Sequence, residues 1–258
     1  MIFLPSIYAH AGTDNIMRNS LHDEGILDVW RSRCPALQSL WPANTAASTW
    51  EGVTFADNEF GQKVVGIKLN GKLGDAIDVP AVLGTLLSLK RLDLRGNRLT
   101  SLPASLGFLN KLEELYVDNN RLTSVPAELG ELRSLRELFL NGNQLTGLPV
   151  EIGSLSSLTL LGLSHNQLTS IPAHIGQLTA LTMLDVSDNQ LTGMPAALGA
   201  LISLEKLYKQ NNQMRSIPAE FEEFLERSGS MPGSPMRHGH ADMPTTKMGT
   251  KRKLNAAD

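Results

Sequence analysis

Ser164, His165 and Asp188 are the nearest approach in this chain to a catalytic constellation. A hydroxyl, an imidazole and a carboxylate held together can supply a nucleophile, its base and the group that orients the base. His165 and Asp188 lie 23 residues apart, the interval of an internal repeat, so they should be neighbours in adjacent copies. Ser164 and His165 are consecutive, however, and their side chains should point differently. The sequence implies neither an oxyanion-hole donor pair nor an enclosing pocket. A surface ion pair between His165 and Asp188 is the expectation, in a protein that is not an enzyme.

Other reactive residues fall short in the same way. His238 and His240 form "HGH", but two histidines without a third ligand hold a metal poorly, and no metal is expected. The stretch "LNGKLGD" around Lys72 lacks the glycine spacing and the Lys-Ser/Thr pair of a phosphate loop, so no cofactor is expected either. Cys34 is the single cysteine. It cannot form an internal disulfide and reads as a buried, inert thiol.

Composition narrows the class. Of 258 residues, 41% are apolar and 19% charged, with a net charge of −3; that is a globular composition without the strong basicity of a nucleic-acid binder. No apolar run reaches the roughly 18 residues that a membrane-spanning helix needs. The opening "MIFLPSIYAHA" ends in Ala-x-Ala at Ala11 but has no Lys or Arg before its apolar part and is interrupted by Pro5. A cleaved signal is disfavoured on those grounds. The expected setting is the cytoplasm; "KRK" at Lys251 to Lys253 leaves nuclear import open, though three basic residues in a polar tail are a weak patch.

The strongest signal is self-similarity, which fixes the architecture when present. Six copies run in 23-residue register from Leu89 to Phe221. The first column is Leu89, Leu112, Leu135, Leu158, Leu181 and Leu204; the second is Leu92, Leu115, Leu138, Leu161, Leu184 and Leu207. The third is Leu94, Val117, Leu140, Leu163, Val186 and then Lys209. An asparagine follows in every copy, Asn97, Asn120, Asn143, Asn166, Asn189 and Asn212, and a proline later, from Pro103 to Pro218.

Alternation in the L-x-L core predicts a short strand with its leucines on one side. One such strand cannot bury them; stacked copies can, and every strand then lies parallel to the next. Segments such as "PASLGFLNK" would return along the outside as a helical or extended turn. The asparagine sits where the chain leaves the strand, where its amide can satisfy backbone groups that no strand ladder reaches. The prolines and glycines of the repeats read as turn residues.

These residues resemble the leucine-rich-repeat family, with L-x-x-L-x-L-x-x-N-x-L-x-x-L-P-x-x-L-G-x-L as the motif here. The 23-residue "LPxxLGxL" form is most similar to the intracellular group containing plant Ras-group proteins and animal Ras-pathway scaffolds. The resemblance implies an α/β solenoid, curved, with a parallel sheet on its concave face and helical or extended turns on the convex one. It also implies a protein-binding scaffold in signalling, without catalytic residues. The rival implication is the sensing portion of a larger receptor-kinase or ubiquitin-ligase system. The partner is expected to be another protein, with no nucleic acid and no membrane span, and the chain itself a monomer.

The domain reading runs from a flexible start at 1–13, through a capping region at 14–63, to the solenoid at 64–227 and a disordered tail at 228–258. Within the solenoid, Val64, Ile67 and Leu69 mark one divergent copy, followed by the six regular repeats at 89–221. Ile16, Leu21, Ile26, Leu27, Val29 and Trp30 suggest one or two helices in the N-terminal cap. "STWEGVTFADNEFGQKVVGIKL" resembles the lead-in of plant-type leucine-rich-repeat domains, without the bracketing cysteines of secreted members. At the other end, Phe221, Phe224 and Leu225 line one side of a terminal cap at 219–227.

What varies between copies points at the concave surface. One column is Arg91, Glu114, Glu137, Leu160, Met183 and Lys206; the next is Asp93, Tyr116, Phe139, Gly162, Asp185 and Tyr208. A third is Arg95, Asp118, Asn141, Ser164, Ser187 and Gln210. Six strands about 4.8 Å apart span roughly 24–29 Å, the width of a standard protein interface. The candidate partner-binding residues are Arg91, Asp93, Glu114, Tyr116, Glu137, Phe139, Leu160, Met183, Asp185 and Tyr208, with exposed Tyr116 and Phe139 as the expected centre.

Overall fold

The computed structural model describes residues 23–58, 61–76 and 78–215. Pro218, the expected cap at 219–227, the tail at 228–258 with His238, His240 and "KRK", and the start at 1–13 lie outside these. So do Ile16 and Leu21.

Among the described residues, eight strands form one sheet in chain order. β1 (Val53–Asn58) and β2 (Gly61–Lys68) make an antiparallel hairpin. From β2 onward every pairing is parallel, through β3 (Arg91–Asp93), β4 (Glu114–Tyr116), β5 (Glu137–Phe139), β6 (Leu160–Gly162), β7 (Met183–Asp185) and β8 (Lys206–Tyr208). Leu92, Leu115, Leu138, Leu161, Leu184 and Leu207 stand opposite one another in that order, each strand three residues long. The result is a solenoid with the sheet on one face.

The return path is a five-residue 3₁₀ turn in each coil, such as Ala104–Phe108, Ala127–Glu131 and Val150–Ser154. A proline caps each one in extended conformation, Pro103, Pro126 and Pro149 here; its fixed φ and missing N–H suit the residue before a tight turn. The glycines inside these turns have a different role from the one the sequence suggested. A Cβ on Gly107 would collide with the backbone carbonyl of Glu128 in the next coil, and one on Gly130 with that of Glu151. They set how closely coils stack, rather than permitting a turn.

Leucine columns fill the space between sheet and turns. Leu89, Leu112, Leu115, Leu138, Leu140 and Leu161 are completely buried in one continuous core. Truncating any of them to Ala would cost about 2–5 kcal/mol, by analogy with other close-packed cores. Val64, Ile67 and Leu69 join the same core, and Ile67 stands opposite Leu92. The divergent first coil is therefore in register with the regular ones.

The N-terminal cap consists of α1 (Asp23–Arg33) and α2 (Pro35–Leu40). Ile26, Leu27 and Trp30 face the core, while Val29 is half-buried. Trp30, Trp41 and Trp50 interlock, the first pair edge-on at 6.0 Å and the second stacked at 5.2 Å. Asp23 accepts the backbone N–H of Val64 at 2.7 Å, tying the helix to β2. The β1 hairpin was not expected from sequence: it pairs the outer edge of β2, so the sheet's first parallel strand is not left open. Cys34 is free and buried, as anticipated.

Candidate functional site: the concave face of the sheet

In a three-residue strand with its central leucine inside, the two flanking residues face the other way. Arg91 and Asp93, Glu114 and Tyr116, and Glu137 and Phe139 are such pairs, and the residues two further on (Arg95, Asp118, Asn141) extend the same face. The three variable columns are thus assembled as one surface.

Tyr116 and Phe139 are not its exposed centre. They retain 7% and 1% of their surface, so the expectation of solvent-facing aromatics is corrected. Strands about 4.8 Å apart bring side chains on adjacent strands into contact. The two rings stack at 5.7 Å and, with Met183, form a small cluster of their own on the concave side of the sheet. Phe139 leans over Gly162, where a Cβ would come within 2.6 Å of its ring. Arg91 and Arg95 cover Tyr116 from above, 5.7 and 5.0 Å from the ring centre. Asp93, Asp185 and Met183, also expected at the surface, are buried.

What remains accessible is a rim around that cluster. Arg91 and Lys206 are exposed, and Glu114, Glu137, Leu160 and Tyr208 are half-buried. Leu160 and Tyr208 pack against the cluster edge.

Polar groups on the N-terminal half are closely coupled. Arg95 binds Asp93 through two nitrogens, Nε to Oδ1 at 2.9 Å and Nη2 to Oδ2 at 2.6 Å. This bidentate bond to Asp93 is the main reason the guanidinium is held above its usual pKa. Arg91 reaches Glu114 at 2.5 Å. The Tyr116 hydroxyl lies 2.8 Å from Glu114 Oε2 and 2.5 Å from Glu137 Oε2. Burial, then the two carboxylates, hold that phenol far above its ordinary range. Asp118 is pushed up to about 6 by burial, despite accepting bonds from the Asn141 side chain and backbone.

The third column supplies these hydrogen-bond partners, and the candidate list had not included it. Asn141 Oδ1 in turn accepts the Ser164 hydroxyl at 2.9 Å. A column with no apolar member in six copies was the available signal.

The Ser164 hydroxyl is therefore committed to Asn141, on the concave face. His165 Nε2 stands 3.5 Å from Asp188 Oδ2 outside it, the expected ion-pair geometry. Both residues occupy a left-handed backbone position, with φ of 53°, that Gly96, Asn119, Gly142 and Asn211 take in other coils. Their types are those that tolerate positive φ best, Gly above all and then Asn, Asp and His. Among the described residues no group of three or more His, Cys, Asp or Glu is placed to hold a metal. None of the described helices is long and apolar enough to cross a membrane.

Behind the sheet, the asparagine column works as a ladder between coils. Asn120 donates from Nδ2 to the carbonyls of Leu94, Val117 and Asp118, and its Oδ1 accepts the N–H of Leu99. Asn97, Asn143, Asn166, Asn189 and Asn212 repeat the pattern with the equivalent carbonyls. Each amide thus bonds its own coil and the preceding one.

A parallel-sheet solenoid with constant coil residues and a variable face defines the class: a solenoid repeat protein. Family comparison gives it a name. A leucine-rich-repeat region matches residues 127–227 and a leucine-rich-repeat model residues 87–145. The chain belongs to the leucine-rich-repeat family.

Among solved structures, a leucine-rich-repeat protein of Leptospira interrogans is 37% identical, with a TM-score of 0.55, over 57% of this chain and 38% of that one. The leucine-rich-repeat ectodomain of the receptor kinase GASSHO1/SCHENGEN3 from Arabidopsis thaliana, in complex with CASPARIAN STRIP INTEGRITY FACTOR 2, is 27% identical. Its TM-score is 0.51, over 76% of this chain and 30% of that one. A plant ice-binding protein shares the fold at 22% identity and a TM-score of 0.63, over 74% of this chain and 71% of that one. The chain spans well under half the length of the first two. A search of curated proteins found no match.

Proposed function

We propose that the protein is a non-enzymatic interaction module that binds a partner protein through the concave face of its sheet and serves as a scaffold in intracellular signalling. The observation that carries this is the contrast within each coil. Core positions hold leucine with little variation, whereas the residues beside them on the sheet change from Arg91 through Glu114, Glu137, Leu160 and Met183 to Lys206. The first set builds the core of every coil; variation on a rigid, half-apolar surface suits recognition. Arg91, Glu114, Glu137, Leu160 and Tyr208 make direct contact in this reading. Asp93, Tyr116, Phe139, Met183 and Asp185 form the floor beneath.

Affinity purification with mass spectrometry tests it, comparing the wild type with Arg91→Ala/Leu160→Arg on the concave face. Phe108→Arg and Ile202→Arg serve as controls on the outer side, where both residues are exposed. A specific partner should be lost with the concave pair and kept with the controls. Loss with the controls alone overturns the reading.

One observation favours a second reading, the ligand-sensing part of a larger receptor. The Arabidopsis ectodomain, of which this chain matches 30%, belongs to a membrane receptor kinase. A kinase or ligase segment in frame in the full-length transcript would support it.

A further inference from the structure

Hydrogen bonding on the concave face is complete up to β7 and stops at β8. Arg91, Asp93, Arg95, Glu114, Tyr116, Asp118, Glu137, Asn141 and Ser164 all have a side-chain partner named above. Asp185 accepts from Ser187 N and Oγ at 3.0 and 2.7 Å. Lys206 and Tyr208 of β8, and Gln210 two residues beyond it, make no side-chain hydrogen bond or ion pair, and Gln210 Nε2 is shielded from solvent with nothing to donate to.

We propose that this end of the face is a docking subsite for an acidic, apolar segment of the partner. The inference rests on the interaction reading above. An apolar side chain of the segment packs on Leu160, Met183 and the Tyr208 ring, which meet at the cluster edge. A carboxylate of the segment pairs with the exposed Lys206 ammonium and accepts from the Tyr208 hydroxyl. Charge complementarity selects the sign. Lys206 is a cation without an anion, whereas Arg91 and Arg95 are already neutralised by Glu114 and Asp93. Asp185, a like charge opposite Tyr208 on the adjacent strand, is 3% exposed and holds two bonds from Ser187, so it is shielded from the approach.

The test uses the full chain and two blocked peptides, one alternating leucine with glutamate and one leucine with lysine. Binding is read by calorimetry and by backbone shifts at 204–211. The glutamate peptide should bind and the lysine peptide should not. Lys206→Glu should weaken the glutamate peptide by about tenfold or more and admit the lysine one, with thermal stability unchanged because Lys206 is exposed. Equal binding of the two peptides, binding of neither, or indifference to Lys206→Glu overturns the subsite.

Two other occupants would also overturn it. One is the chain's own 219–227 segment, revealed if Glu220→Gln/Glu222→Gln/Glu223→Gln tightens peptide binding. The other is a second copy, revealed by a dimer that Lys206→Glu dissolves. If Lys206→Glu leaves partner capture intact while Arg91→Ala/Leu160→Arg abolishes it, the subsite falls and the interaction reading stands.

Discussion

Asn143 Oδ1 accepts the backbone N–H of Leu122, 21 residues earlier, at 3.0 Å. The same amide donates to Val117, Leu140 and Asn141, so a single side chain fastens two coils through four backbone groups. Each buried group left unpaired costs about 1–3 kcal/mol. Asn143→Ala should therefore lower unfolding stability by at least that much in urea titration. Gln144→Ala, at an exposed position one residue on, should change it by less than about 0.5 kcal/mol.

Tyr116→Ala/Phe139→Ala should destabilise strongly, by about 3–5 kcal/mol for the phenylalanine alone. The rings are stacked and almost fully buried, and removing them leaves a cavity beside Met183. Thermal unfolding checks this. An unchanged midpoint would mean that the rings face solvent.

Gly130 and Gly147 should respond oppositely to alanine. A methyl group at Gly130 meets the carbonyl of Glu151 in the next coil, whereas at Gly147 nothing lies within 4 Å. Gly130→Ala must push two coils apart, costing about 1–3 kcal/mol as overpacking does elsewhere. Gly147→Ala, at ordinary φ, should be neutral or stabilising by up to about 1 kcal/mol through the unfolded chain.

Asp118 gives stability a pH signature. Its folded pKa of about 6 lies above the ordinary carboxylate value of 3.8, so protons bind the folded state more tightly. Its contribution is fully present below the unfolded pKa and is lost as pH rises through 6. Compared with Asp118→Asn, the wild type should gain roughly 2–3 kcal/mol between pH 7.5 and pH 4. Urea midpoints of both proteins across that range measure it. A gap that stays constant would show that Asp118 titrates normally.

Much of this architecture was readable from leucine spacing, because a 23-residue period leaves the chain few ways to bury three columns. Leu92, Leu115 and Leu138 align as the repeat demanded, and Asn97 to Asn212 bond backbone as their chemistry required. The period also assigned the concave columns correctly. It did not reveal how deep each side chain lies. Phe139 is buried because position 162 in the next coil is glycine, a relation between copies that neither copy shows alone. The β1 hairpin escaped notice for a similar reason. "VTF" and "VVGIK" are ordinary strand words, and only the open edge of β2 explains why they pair.

Photo-crosslinking tests the central claim most directly. A benzophenone amino acid placed at Arg91 or Leu160 samples the concave face; placed at Phe108 or Ile202 it samples the outer side, all in the full chain in its native cells. The account predicts that one protein partner is captured from both concave positions and from neither outer one. Capture of that partner from Phe108 or Ile202, with none from Arg91 or Leu160, would contradict it.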